Sequence, residues 1–230
     1  MNEKVTAFLP CRAGSQRVVK KNIKPISKYE NGLIQIKLKQ LINSSFIDRI
    51  VLSTDDSEIL NYADSLNESR IIIHERVDSL SSSSTSTDEL VEHALTLIPE
   101  GNILWTHVTS PFISSSHYDS SIKMYFSQCK NGFDSLMSIT SIRSFLWKNN
   151  IPINYNREKE KWPRTQTLEP IQEVNSGIFL ASTDIYKEFN DRIGSYPYLY
   201  ELDKLVSFDI DWPEDFSIAE CLLDKELVAI

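Results

Sequence analysis

The sequence predicts a three-layer α/β domain with a mostly parallel sheet, and three observations carry that expectation. Short apolar runs recur along the chain, separated by amphipathic stretches of roughly ten to fifteen residues, the rhythm of βαβ units. The first apolar run, Val5 to Leu9, leads straight into a loop that is basic and nearly free of apolar residues. With 230 residues, 41% hydrophobic and 24% charged, the chain suits one globular domain with a sizeable core.

Each element follows from local pattern. Val5 to Leu9 reads as a buried strand that must stop at Pro10, which has no N–H to give to a ladder. Gly32 to Ser45 has broadly helical apolar spacing, Ile47 to Ser53 reads as a second strand, and Ser57 to Leu66 as a short helix capped by Asp56 or Ser57. Arg70 to His74 gives a third strand. A Ser-rich stretch, residues 79–88, ends in the helix caps Ser86, Thr87 and Asp88 before a helix over Glu89 to Ile98. Asn102 to Thr109 is a fourth strand, Ser114 to Lys130 a helix, Asp134 to Thr140 a strand and Val174 to Ala181 another. Residues 143–172 break the alternation. Leu205 to Asp211 reads as the last strand, and Trp212-Pro213 opens the closing helix.

The chemistry concentrates in a few places. Arg12, Arg17, Lys20, Lys21 and Lys24 crowd the loop after the first strand, with Gly14 and Ser15 among them. A loop there lies at the carboxyl edge of a parallel sheet, where such folds bind ligands. Gly14 lets a backbone come close, Ser15 adds a hydroxyl, and the cations suit a polyphosphate. The alternative is a solvated basic surface loop, which has to explain why the run is confined to one loop of a chain with net charge −8. The loop is neither a GxxxxGK[ST] nor a GxGxxG phosphate loop.

Asp209 and Asp211 are two apart, so on a strand their carboxylates share a face. Beside a polyphosphate loop they suit Mg²⁺, or Mn²⁺ in its place; taken alone, such a pair can equally be a helix cap. Cys11, Cys129 and Cys221 lack metal spacing, and Cys11 lies where a basic loop could activate its thiol. A pI near 5.1 argues against a nucleic-acid partner. No apolar run approaches the roughly 20 residues that span a bilayer, and the first residues lack a signal-peptide core. A cytoplasmic location is the expectation.

The run Leu9, Pro10, Arg12, Gly14, Ser15, Arg17, Lys21, Asn22 and Ile23 resembles the opening signature of the CMP-sugar synthetases, the acylneuraminate cytidylyltransferase family. The resemblance continues through Leu80, Thr85, Ser86, Val91, Ala94 and Leu95, through Thr109-Ser110-Pro111, Arg164 to Pro170 and Asn175 to Phe179, and through Asp209-Ile210-Asp211. It implies a Rossmann-like nucleotidyltransferase domain over residues 1–230, in which 143–172 is a dimerisation excursion on the sugar side. That excursion read without the resemblance is an ordinary polar hairpin.

The implied reaction is transfer of CMP from CTP to a 2-keto-3-deoxy sugar acid, with Mg²⁺ as cofactor and a homodimer as the assembly. Pro10, Arg12, Gly14, Ser15, Lys21, Asn22 and Ser82 fall to the nucleotide. His107, Thr109, Arg164, Gln166 and Asn175 fall to the sugar. Asp209 and Asp211 fall to the metal, and Arg12, Lys21 and Asp211 to catalysis. His107 stands where relatives carry Gln, Ser83 where they carry Asp, and Phe112-Ile113 where they carry Leu-Arg. His107 is either a ligand of the sugar and phosphate or a satisfied histidine at a strand end. Other nucleotidyltransferases of this fold, such as the octulosonate enzymes, and metal-dependent glycosyltransferases are the alternatives.

Overall fold

The first apolar run folds as β1 (Val5–Pro10) and lies inside a seven-stranded sheet. This computed structural model describes residues 4–82 and 85–230. β1 is followed by α1 (Gly32–Asn43), β2 (Arg49–Thr54), α2 (Ser57–Ser65), β3 (Ile71–Glu75), α3 (Thr87–Leu97) and β4 (Asn102–Trp105). Then come α4 (Ser115–Cys129), β5 (Ser135–Ile142) and a small hairpin of β6 (Trp147–Lys148) and β7 (Ile151–Pro152). The chain ends with β8 (Ile171–Ser182), α5 (Thr183–Phe189), β9 (Pro197–Glu201) and α6 (Pro213–Asp224). The large sheet runs β3-β2-β1-β4-β8-β5-β9. β1, β2, β3 and β4 are mutually parallel, β8 is antiparallel to both its neighbours, and β9 is parallel to β5.

Alternation along β1 divides the core into two layers. Val5, Ala7 and Leu9 face a cluster built from α1, α2, α4 and α6, while Phe8 faces one built from α3 and α5. Trp105 and Phe179 join Phe8 on that second side. Burying each large aliphatic side chain stabilises the fold by roughly 1.5–3 kcal/mol before the entropy of ordering it. The helix starts follow their caps. The Asp56 carboxylate accepts from the amides of Glu58 and Ile59 at 3.0 and 3.4 Å, and Ser86 and Glu89 form a reciprocal capping box.

Several expected elements are corrected. Leu205 to Asp211 is not a strand. Residues 204–207 turn, and residues 208–211 are irregular and pair in no sheet. The edge beside β5 is taken instead by β9, which the sequence pattern did not reveal. β4 stops at Trp105, because the chain turns at residues 106–111 rather than continuing to Thr109. α5 was likewise unforeseen, and β8 begins at Ile171, inside the expected excursion. The remainder of that excursion is the β6–β7 hairpin and a 3-10 turn at Thr165–Thr167.

Gly32 fixes how α1 meets the basic loop. Its φ is +63°, and a Cβ there would lie 2.2 Å from the Lys24 carbonyl oxygen. The amide of Ile34 then donates to the Asn22 carbonyl at 2.9 Å, tying the helix to the end of the loop. Gly32→Ala combines a disfavoured φ with a backbone clash. It should destabilise the protein by about 2–3 kcal/mol. Thermal unfolding of the two proteins checks this, and an unchanged midpoint would contradict the close approach.

Candidate active site

A cleft of about 260 Å³ opens at the carboxyl ends of β1 and β4, lined by Pro10, Arg12, Ser15, Arg17, Lys21 and His107 among others. Its basic wall is held by groups from elsewhere in the fold. The Cys11 amide donates to the Ser53 carbonyl at 3.0 Å, and the Ala13 amide to Asp55 Oδ1 at 2.9 Å. Buried Asn22 donates through Nδ2 to the Arg12 carbonyl at 3.2 Å, so its fixed part is to shape the loop. Lys20 pairs with Glu58 on the rim. Gly14 is exposed, and a Cβ built on it meets nothing within 4 Å, so the protein's own packing does not require glycine there.

Lys21 reaches across the cleft. Its Nζ donates to the Ile210 carbonyl at 2.5 Å and lies 3.5 Å from the Asp211 carboxylate. Arg17 lies 3.2 Å from the other oxygen of Asp211 and stacks 4.7 Å over the Trp212 ring. Both Arg17 and Asp211 side chains are nearly half exposed, so their pairing is worth at most about 1 kcal/mol.

The second wall is the turn after β4. Trp105 Nε1–H donates to His107 Nε2 at 3.2 Å, which leaves that nitrogen unprotonated and the proton on Nδ1. Burial, then the positive charges of Arg192, Lys37 and Lys21, pull the His107 pKa down to about 4. His107 is therefore a neutral hydrogen-bonding group near pH 7. Thr109 faces the same cleft, and its carbonyl accepts from the Ile210 amide at 2.9 Å.

That bond seats the residue 208–211 segment beside a second cavity of about 570 Å³, lined in part by Thr140, Arg143, Asn175, Lys204, Ser207 and Asp209. Asn175 is held by Ser138, whose hydroxyl donates to its Oδ1 at 2.6 Å, and by Thr140, whose hydroxyl oxygen accepts from its Nδ2 at 3.0 Å. Asp209 keeps solvent exposure as a residue, while its carboxyl end is crowded by the surrounding protein. Burial first, and then the charge of Asp211, push its carboxyl pKa up, against a hydrogen bond from Thr109. A divalent cation would relieve both raising effects, and one or two carboxylates completed by waters and phosphates suit Mg²⁺. Without a strand at 205–211 the two carboxylates do not share a strand face: Asp209 lines the second cavity and Asp211 pairs with Arg17 and Lys21. Each therefore offers a single carboxylate to a cation, and the described residues contain no cluster of three or more acidic, histidine or cysteine side chains.

Not every expected residue converges here. Arg164 and Gln166 sit exposed at the 3-10 turn and line neither cavity. Ser82 is exposed beside Thr85, 3.2 Å between their hydroxyl oxygens, and does not line the cleft. Ser83 lies outside the described residues. Cys11 is not an activated thiol, since burial raises its pKa to about 12.

Sequence reasoning passed over Arg76. It is buried behind the loop, donates to the Ser53 carbonyl at 2.5 Å and to Ser53 Oγ at 3.2 Å, and interacts electrostatically with Arg12 and Asp55. Asp55, Arg143 and Lys204 were also passed over. Only the Asp55-Asp56 pair at the end of β2 offered a signal.

The basic cleft, the carboxylates beside it and the second cavity lie at the carboxyl ends of parallel strands, where α/β folds bind ligands. The chain belongs to the cytidylyltransferase family, whose model matches residues 6–229. It is 24% identical to the N-acylneuraminate cytidylyltransferase of Escherichia coli over 98% of this chain and 54% of that protein, so it spans about half that relative's length. It is 23% identical to the pseudaminic acid cytidylyltransferase of Campylobacter jejuni, covering 94% of each. Among solved structures, CMP:2-keto-3-deoxy-manno-octonic acid synthetase complexed with CTP shares the fold. The TM-score is 0.68 at 14% identity, covering 97% of this chain and 99% of that one.

Two histidines with lowered pKa values predict acid sensitivity. His93 Nε2 lies 3.0 Å from Ser53 Oγ, and burial with the charges of His74 and Arg76 lowers its pKa to about 4, like that of His107. A histidine whose folded pKa is lowered binds fewer protons in the folded state. Stability is therefore fully present above the ordinary value of 6.5 and is lost as pH falls from there toward about 4. The thermal midpoint should drop over that window. His107→Gln should shrink the drop while His93 keeps its share, and equal drops in both proteins would show that His107 does not titrate as described.

Proposed function

We propose that the protein transfers CMP from CTP to the anomeric hydroxyl of a 2-keto-3-deoxy sugar acid of the nonulosonate kind, releasing pyrophosphate. The observation that carries this reading is the Asp209–Asp211 segment, in which Asp211 pairs with Arg17 and Lys21 of the cationic cleft and Asp209 lines a separate cavity. Phosphates belong on the side of Arg12, Ser15, Arg17 and Lys21, and the sugar acid on the side of Asn175, where Arg143 and Lys204 offer cations to its carboxylate. Pro10, Gly14, Asn22 and Ser82 are assigned to the nucleotide, and His107 and Thr109 to the boundary between the substrates. The relatives named above support this choice of substrates.

In the transfer, a bond forms from the anomeric oxygen to the α-phosphorus as the bond to the β-phosphate oxygen breaks, and the hydroxyl proton is released. Arg12 and Lys21 neutralise charge on the phosphates, and preorganised charge of this kind supplies most of the catalysis in phosphoryl transfer. Mg²⁺, or Mn²⁺, held by Asp209 and Asp211 would stabilise negative charge on the phosphates and acidify the attacking hydroxyl. The weak Arg17–Asp211 pair suits this role, because an exposed pair exchanges readily for phosphate on one side and metal on the other.

We assign the protein to the cytoplasm, where CTP is available; no helix among the described residues is long and apolar enough to cross a membrane. The functional unit is a homodimer in which Arg164 and Gln166 of one subunit complete the sugar side of the other. The hairpin region supports that role. Trp147 and Trp162 are exposed, and the Arg157 guanidinium lies between them, 5.4 and 5.3 Å from the two rings.

Pyrophosphate release from CTP and Mg²⁺, with a panel of nonulosonic and octulosonic acids, tests the reaction; release with none of them would overturn it. Asp211→Asn should cut turnover by roughly 100-fold and weaken the metal requirement while the thermal midpoint stays near the wild-type value. A lowered midpoint with full, metal-independent turnover would make Asp211 a structural cap. Sedimentation at micromolar concentration should give a dimer; a 26.4 kDa species with full activity would remove the shared site.

A further inference from the structure

Behind the turn after β4, on the side away from the cleft, lies a lysine with no part in the scheme above. Lys37 is in the middle of α1 and has no exposed surface. An ammonium in such a place is costly unless its donors are satisfied and its charge answered. Its Nζ donates to the Ser110 carbonyl at 2.8 Å and to the Tyr118 hydroxyl at 2.7 Å.

The direction of the chain beyond it is fixed by its end. The Gly177 carbonyl can only accept, so the Thr106 hydroxyl donates to it, at 2.8 Å. Thr106 Oγ1 then accepts from Tyr118, also at 2.8 Å, and the Tyr118 oxygen is free to accept from Lys37. Gln40, one turn further along α1, donates to the Pro111 carbonyl at 2.7 Å. One face of α1 thus grips the backbone of both residues that close the turn.

We propose that Lys37 is a positioning residue. It locks the turn from Thr106 to Pro111, and through the Thr109 carbonyl it fixes the Asp209–Asp211 segment. The consequence for turnover rests on the transfer reaction read above; the mechanical lock does not. The turn has few other ties. Its Thr106 amide donates to the Phe8 carbonyl at 3.2 Å, and the Ser110 amide donates back to His107 at 3.4 Å, a long bond. Without the Lys37 donors, the Ser110 carbonyl and the Tyr118–Thr106 relay lose their source, and His107, Thr109 and the Ile210 anchor move with the turn. Lys37 touches no cleft surface, so its effect is on geometry and not on contact with phosphate.

Lys37→Met keeps the length of the side chain and removes its donors; Tyr118→Phe keeps the ring and breaks the relay. Hydrogen exchange should quicken at residues 106–111 and 208–211 in both variants, by roughly tenfold or more, and stay unchanged in the β1 and β2 ladders. kcat for pyrophosphate release should fall roughly tenfold to hundredfold, the scale on which small displacements of positioned groups act, with KM for CTP within about twofold. The double variant should lose little beyond Lys37→Met alone, as for members of one network.

Unchanged exchange at the turn, faster exchange everywhere, or full kcat per folded molecule would each overturn the proposal. If Lys37→Met does not fold, Tyr118→Phe carries both measurements. Wild-type protein that releases no pyrophosphate would remove the transfer reading, while the exchange measurement would still decide whether Lys37 holds the turn.

Discussion

The Ile210 peptide joins the three parts of the chain that make the site. Its amide donates to the Thr109 carbonyl after β4, and its carbonyl accepts from Lys21 in the loop after β1. Its side chain is fully buried in the larger core cluster. A segment with no strand partner has few backbone restraints, and residues 208–211 have these in place of a ladder. The aspartates on either side are placed by this anchor and, for Asp211, also by its amide, which donates to the Asp215 carboxylate at 3.0 Å. Asp209 turns to Thr109 and the second cavity, and Asp211 to Arg17 and Lys21.

The sheet order explains why the cleft lies where it does. β1 has β2 on one side and β4 on the other, so successive connections leave β1 toward one edge and return toward the opposite one. At such a reversal the loops after adjacent parallel strands separate and leave a crevice at their carboxyl ends. Here one lip is the basic loop and the other is the turn carrying His107 and Thr109. α1 packs behind both, held to the loop by the Ile34–Asn22 bond and to the turn by Lys37 and Gln40.

Much of this was legible in the sequence, and the gaps have physical causes. Pro10 ends β1 and the basic loop follows it, because both are local features. The expected strand at Leu205 to Asp211 failed because a strand-like pattern looks the same whether or not it finds a ladder partner. β9 went unseen because it is a short edge strand that opens with Pro197 and carries little apolar alternation. Lys37 was invisible for a different reason. Leu33, Ile34, Ile36, Leu38 and Leu41 are all buried around it, and a lysine in a helix reads as the solvent face until its neighbours on α4 and the turn are known. Arg164 and Gln166 are matched by motif, yet they lie away from the cleft of their own chain, a separation that motif order along one sequence cannot express.

The two sides of the His107 turn differ in how their charges are held. In front, Arg17 and Asp211 form a pair open enough to water that little free energy separates one partner from another, while Lys21 is mostly covered and donates to the Ile210 carbonyl. Behind, burial drives the Lys37 ammonium pKa well down, opposed by the charge of Asp209, and each of its named contacts is buried. A low dielectric makes a satisfied buried network stiff and an unsatisfied one costly. Exchangeable charge at the surface that meets substrate, backed by buried donors that cannot rearrange, is what electrostatic preorganisation requires: the ligands change while the frame that aims the groups stays fixed.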